Sequence, residues 1–258
     1  LKGRYSASKN INLEKIKFIN DKNFIEIQNI KINENKKIKS IDNIKVSVFN
    51  NNNMLSKLDI KKDKKNYLID SQIFDGTKLL DEILFSKKEG NFFDLFDNLS
   101  GNVLINIDKA YISNEDYLTS LNTALIVKNN KILDLDLLSK FSNNEDFKVS
   151  IRTNQNKEKI TTIFTNHARP LVKKYKFIKG FDGGALDFYS ISQNTKTNSN
   201  LRLYDFKLKE VPALTKLLTL ASLQGIADLL SGEGIRFNEF EMKFNNEKGV
   251  MTIEEIYS

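Results

Sequence analysis

The chain has no cysteine, a single histidine and only two prolines in 258 residues. The missing thiols exclude disulfides and thiolate metal sites, and a chain without them suits any compartment, an oxidising periplasm included. The lone His167 has no second histidine or cysteine to share a metal with, and beside a proline turn it reads as structural. Motifs that carry chemistry are missing too. There is no Gly-x-Ser-x-Gly elbow, and Gly232-Glu233-Gly234 is not followed by Gly-Lys-Ser/Thr as a phosphate loop requires. Gly180, Gly183 and Gly184 have the wrong spacing for a dinucleotide fingerprint and run into a strand instead of a helix. No feature of the sequence supports an enzyme or a cofactor. Nor is there a dense basic patch. The formal charge of +7 is spread over separate pairs such as Lys36-Lys37, Lys61-Lys62, Lys64-Lys65, Lys87-Lys88 and Lys173-Lys174. That pattern reads as a solvated surface and argues against nucleic acid as a partner. No signal peptide or clear membrane span is visible, and no short repeat of fixed period. The chain starts at Leu1 and stops at Ser258 inside a strand-like run, so it reads as an internal fragment whose anchor lies elsewhere.

What is present is alternation. Ile25 and Ile27 alternate with Glu26 and Gln28, and Ile44, Val46 and Val48 with Lys45 and Ser47. The same period of two recurs at Val103–Ile107, Phe147–Ile151, Phe240–Phe244 and, less strictly, over 121–127, 132–138, 160–164, 185–191 and 201–208. Each such run is a strand with one apolar and one wet face. Polar turns separate them: Asn50 to Asn53, Asp63 to Asn66, and Lys128-Asn129-Asn130-Lys131. A long antiparallel meander is expected. Residues 76–100 change texture. Leu79, Leu80, Ile83 and Leu84 have helical spacing, and Phe92, Phe93, Leu95 and Phe96 form a second apolar cluster, so a helix and a loop packed on the sheet are expected there. A short helix is expected after Pro170, because proline fits the first helical turn.

The longest apolar run is 211–237. Pro212 opens it and Ser231-Gly232-Glu233-Gly234 stops it, which predicts one helix over 212–231. Leu214, Leu217, Leu218 and Ala221 give it an apolar surface, and Thr215, Thr219 and Ser222 form a narrow polar stripe. Such a helix covers a sheet, lines a lipid-holding cavity or faces a membrane. Lys216, Gln224 and Asp228 inside it weigh against a span.

This run, with the strands "NEFEMKF" and "GVMTIEEIYS" after it and "KFIKGFDGGALDFYS" and "LRLYDFKLKEVP" before it, resembles the AsmA-like C-terminal region. That family comprises the YhdP/TamB-type envelope proteins of Gram-negative bacteria. The likeness is strong over about 160–258 and reduces to strand-rich texture before that. It divides the chain into a weaker-matching part, 1–100, and an AsmA-like part, 101–258. The resemblance implies a mainly β fold: an elongated, curved antiparallel sheet forming a groove, one long apolar helix near the C-terminus and one or two short helices. It implies a periplasmic location, with an inner-membrane anchor outside this chain. The implied function is phospholipid transport between inner and outer membranes and upkeep of the outer-membrane barrier, without cofactor or catalysis. Envelope proteins are further partners that the resemblance implies. The alternative is a non-enzymatic scaffold or regulator of outer-membrane protein assembly. Alternation alone fits a sandwich, a barrel or an open groove. In a groove the acyl-contacting candidates are Val46, Val48, Val149, Ile151, Phe240, Met242 and Phe244, each in an alternating run.

Overall fold

A computed structural model describes residues 2–5, 10–50, 53–77, 95–176, 178–209 and 234–258. The chain forms two compact units, Leu1–Ser142 and Asn143–Ser258. This division is separate from the one at residue 100, which rests on the strength of the resemblance. Both units are mainly β.

The first unit contains β1 (Lys2–Tyr5), β2 (Ile11–Asn20), β3 (Asn23–Ile32), β4 (Ile38–Ser40), β5 (Asn43–Phe49), β6 (Leu55–Asp63), β7 (Asn66–Asp75), β8 (Gly101–Tyr111), β9 (Tyr117–Lys128) and β10 (Lys131–Phe141). Their order follows the chain, with β4 set aside as a short partner of β3. The expected strands at Ile25, Ile44, Val103, 121–127 and 132–138 are all present. The turn at Asn129-Asn130 holds both residues at positive φ, 51° and 63°. That is the primed hairpin turn whose twist matches its strands, and asparagine tolerates it better than most residues.

One pairing departs from the expected meander. β7 and β8 run parallel, with Tyr67 beside Val103 and Ile69 beside Ile105. Parallel neighbours need a crossover of a dozen or more residues, and residues 76–100 supply it. The helical spacing at Leu79–Leu84, with Phe92 and Phe93, falls outside the described residues. The end of the crossover is described. Phe96 joins Ile16, Ile30 and Ile41 in a buried cluster, with Leu99 and Ile38 packed against it. Asn130 clamps this segment: its Nδ2 donates to the Phe96 carbonyl at 2.9 Å and its Oδ1 accepts from the Leu99 N–H at 2.6 Å. Leu95 corrects the expected cluster. It is 54% exposed, whereas Phe96 is buried.

The second unit contains β11 (Asp146–Thr153), β12 (Lys159–Thr165), α1 (Arg169–Tyr175), β13 (Phe181–Gln193), β14 (Lys196–Leu208), β15 (Ile235–Glu247) and β16 (Val250–Tyr257). The strands lie side by side in chain order, and each neighbouring pair from β11 to β16 is antiparallel. Helix α1 has Pro170 in its first turn, buries Pro170, Leu171 and Val172, and ends at Lys176 in the left-handed conformation. It is the only helix among the described residues. The long apolar helix expected over 212–231, with Leu214, Leu217, Leu218 and Ala221, falls outside them, so a long helix is not part of the described architecture.

Gly101 shows how tightly the β6–β7 turn approaches the start of β8. Its φ is +155°, and a Cβ there would run into the Lys65 carbonyl. Gly249, at φ +86°, has open space around it. Gly101→Ala is therefore expected to cost more than about 1 kcal/mol, and to lower the melting temperature more than Gly249→Ala does. Equal melting temperatures for the two variants would show that the close approach is not a constraint.

Candidate functional site

In a paired sheet, residues opposite one another share a face. The pairings of the first unit therefore align one row across eight strands: Ile16, Ile27, Ile44, Ile60, Ile69, Ile105, Thr123 and Leu137. Six consecutive members are isoleucines, whose branched side chains suit a pleated surface. Ile16 at one end is buried, whereas Ile27, Ile44, Ile60, Ile69 and Ile105 are only half-buried. The next row, Phe18, Ile25, Val46 and Leu58, is likewise apolar, and Phe18 at its edge is 58% exposed. Val46 and Val48 thus lie on this face, both half-buried, with Val48 opposite Ser56.

The reverse face carries charge. Lys17, Glu26, Lys45 and Asp59 form the neighbouring row. Glu26 is held there by three partners. Gln28 Nε2 donates to its Oε1 at 2.6 Å, and Lys15 and Lys17 approach at 3.0 and 3.1 Å. The amide hydrogen bond, then the two ammonium groups, bring its carboxyl down to about 2.

The second unit repeats the division. Val149, Ile163, Phe188, Leu201, Met242 and Ile256 make one row across six strands. Flanking it are the row from Phe147 through Leu186 and Leu203 to Phe240 and the row from Ile151 through Ser190 and Ser199 to Phe244. The five candidates Val149, Ile151, Phe240, Met242 and Phe244 therefore share one face. Their environments differ. Val149 and Ile151 are 2% and 0% exposed, as expected of core residues. Phe240, Met242 and Phe244 are half-buried, and Ile256 on β16 is 55% exposed. Stacked rings extend the apolar surface past the strand irregularity at Gly184: Phe181, Phe206 and Phe237 lie 5.0 and 5.2 Å apart in succession. On the reverse face Asn200 Nδ2 donates to Glu241 Oε1 at 2.7 Å. Arg202 pairs with Glu241 at 3.1 Å, and Lys243 with Glu255 at 2.8 Å. These partners hold both carboxyls below the usual range, Asn200 contributing most at Glu241 and Lys243 most at Glu255.

Two lysines were not singled out by the alternation because they interrupt it. Lys62 is in phase with Ile60, opposite Tyr67, and Lys159 is in phase with Thr161 and Ile163. Burial holds the Lys159 ammonium below the ordinary lysine range. A lysine in register with apolar neighbours was the available signal. His167 lies just before α1, where its backbone N–H donates to Thr165 Oγ1 at 2.9 Å. No group of three or more possible metal ligands occurs among the described residues, and no helix among them is long and apolar enough to cross a membrane. Comparison with known proteins finds no matching family model, curated protein or solved structure.

The Glu26 cluster gives a pH prediction. A carboxyl depressed in the folded state stabilises the fold above the unfolded carboxylate range, near 4.3. That contribution is lost as pH falls from there toward about 2. Glu26→Gln is expected to melt below the unsubstituted protein at neutral pH, with the gap closing over that acid window. A gap that stayed constant down to pH 2 would contradict the ion-pair account.

Proposed function

We propose that this chain is the periplasmic part of an AsmA-like protein anchored in the inner membrane. Its apolar sheet faces form an elongated β-groove that carries phospholipid between inner and outer membranes and so maintains the outer-membrane barrier. The observation that carries this reading is the half-buried isoleucine row of the first unit. Acyl chains laid on such a row gain roughly 25 cal/mol per Å² of apolar surface removed from water, and the work needs binding and no bond chemistry. A ligand held by dispersion and desolvation alone can slide, because neither has a preferred direction.

A second reading has its own support. Ile151, Leu203 and Thr165 are all at 0% exposure, which is how a closed core looks. A non-enzymatic scaffold or regulator of outer-membrane protein assembly would need no more than that.

Photo-crosslinking in cells separates the two. With the probe at Val46, Phe240 or Met242 of the full-length protein, phospholipid adducts are expected. With it at Lys45 or Glu241, on the reverse faces, none are. Equal labelling of both faces, or no lipid adduct at any position, would remove the conduit and leave the scaffold.

A further inference from the structure

The apolar face of the first unit ends in a basic pocket. Its cavity, about 130 Å³, is bordered by Lys39, Lys62, Lys64 and Lys65. In sequence these are a lone lysine, the second residue of Lys61-Lys62, and the pair Lys64-Lys65. The β6–β7 hairpin carries Lys62, Lys64 and Lys65 at its turn, since β6 ends at Asp63 and β7 begins at Asn66. The close approach at Gly101 then sets the turn against the start of β8. None of the four ammonium groups makes an ion pair among the described residues. Lys62 lies over the Tyr67 ring at 5.9 Å, and the Asp42 charge also acts on Tyr67. Four lysines against that one carboxylate leave the cavity mouth positive, which favours an anion there.

The rest of the wall is mixed. Ile38, Phe96 and Leu99 supply an apolar floor continuous with the buried cluster. Tyr67, Asn98 and Ser100 supply hydroxyl and amide groups. Ser100 Oγ accepts from the Asn129 N–H at 3.0 Å, which leaves its own proton for Asn98 Oδ1 at 3.3 Å or for a ligand oxygen. The Tyr67 hydroxyl is pushed up by burial and then by the Asp42 charge, so at neutral pH it stays protonated and can donate. Lys62 and Tyr67 share the face of Ile60 and Ile69. The pocket therefore lies beside the isoleucine row, one row further toward the β6–β7 turn.

We propose that this pocket binds a phosphate group. Lysine is a point-charge donor suited to phosphate oxygens, and the hydroxyl and amide donors add to its hydrogen bonds. The cavity is sized for a headgroup and not for an acyl chain. The phosphate comes from one of two sources: a phospholipid headgroup, whose tails would then lie along the adjoining isoleucines, or a soluble phosphoester. The lipid source rests on the function proposed above; the phosphate site does not.

The test uses the purified full-length protein at low salt, titrated separately with short-chain phosphatidylglycerol below its micellar concentration and with glycerol phosphate. The unsubstituted protein is expected to bind at least one. Lys64→Gln/Lys65→Gln, at an exposed turn, and Lys62→Gln alone are each expected to weaken that binding about tenfold, the loss of one or two charge-assisted hydrogen bonds. Lys22→Gln/Lys57→Gln, on exposed positions at the opposite ends of these strands, is expected to leave it unchanged. Binding of phosphatidylglycerol alone assigns the lipid source, and equal binding of both probes assigns a free phosphoester. Binding of neither probe overturns the site, as does equal binding by pocket variants and unsubstituted protein, or equal weakening by control and pocket variants. Pocket binding without lipid adducts at Val46 would retire the conduit and keep the phosphate site. Adducts at Val46 without pocket binding would do the reverse.

Discussion

A sheet with one apolar face has to remove that face from water, and in this chain the face is kept in phase from strand to strand. A slip of one residue in any pairing would turn that strand's isoleucine or valine to the wet side and bring a lysine or glutamate to the dry one. Ile27, Ile44, Ile60 and Ile69 stay aligned because each has a partner on both sides. The charged row behind them, from Lys17 through Glu26 to Lys45, locks the same register from the other face. Turn chemistry contributes too: Asn129-Asn130 and Lys248-Gly249 adopt the positive φ values of tight hairpins, which fix the pairing they close.

Given that alignment, what differs along each unit is how far the apolar face is covered. In the first unit Phe96 and Leu99 close over Ile16, Ile30 and Ile41, with Ile27 and Ile44 packed against that cluster, while Ile60, Ile69 and Ile105 beyond it are half-buried. In the second, β11 through β14 carry the most deeply buried residues, and exposure rises through β15 to β16, every residue of which is exposed. Where the face meets strand ends it turns polar, through Lys62 and Tyr67 in one unit and Lys159 and Ser192 in the other. A face apolar along its length and basic at an end matches the two-part chemistry of a phospholipid.

The strands were readable from sequence because alternation reports directly which side of a strand is wet. Ile44, Val46 and Val48 give a period of two with no competing signal, and the pairings keep them on one face. Depth of burial was not readable. Val149 and Phe240 have the same local pattern, yet one is core and the other half-open, because burial depends on what packs above the sheet. The parallel β7–β8 pair was hidden for a related reason: the residues that return the chain, 76–100, say that a crossover exists only once the pairing is known. The pocket was hidden because Lys62, Lys64 and Lys65 look like parts of solvated pairs until the fold sets Lys39 and the segment from Phe96 to Ser100 beside them. The helix expected over 212–231 falls outside the described residues, and the reading of the sheets stands without it.

The most direct measurement of the central claim, that these faces hold acyl chains, is native mass spectrometry of the full-length protein after gentle purification, with lipid extraction from the same sample. The account predicts adducts of phospholipid mass on the intact protein and the matching phospholipids in the extract, both depleted when Ile44 and Ile60 in the half-buried row are changed to glutamate while β structure is retained. A protein that carries no lipid, or whose lipid load is unaffected by those two charges, would contradict it.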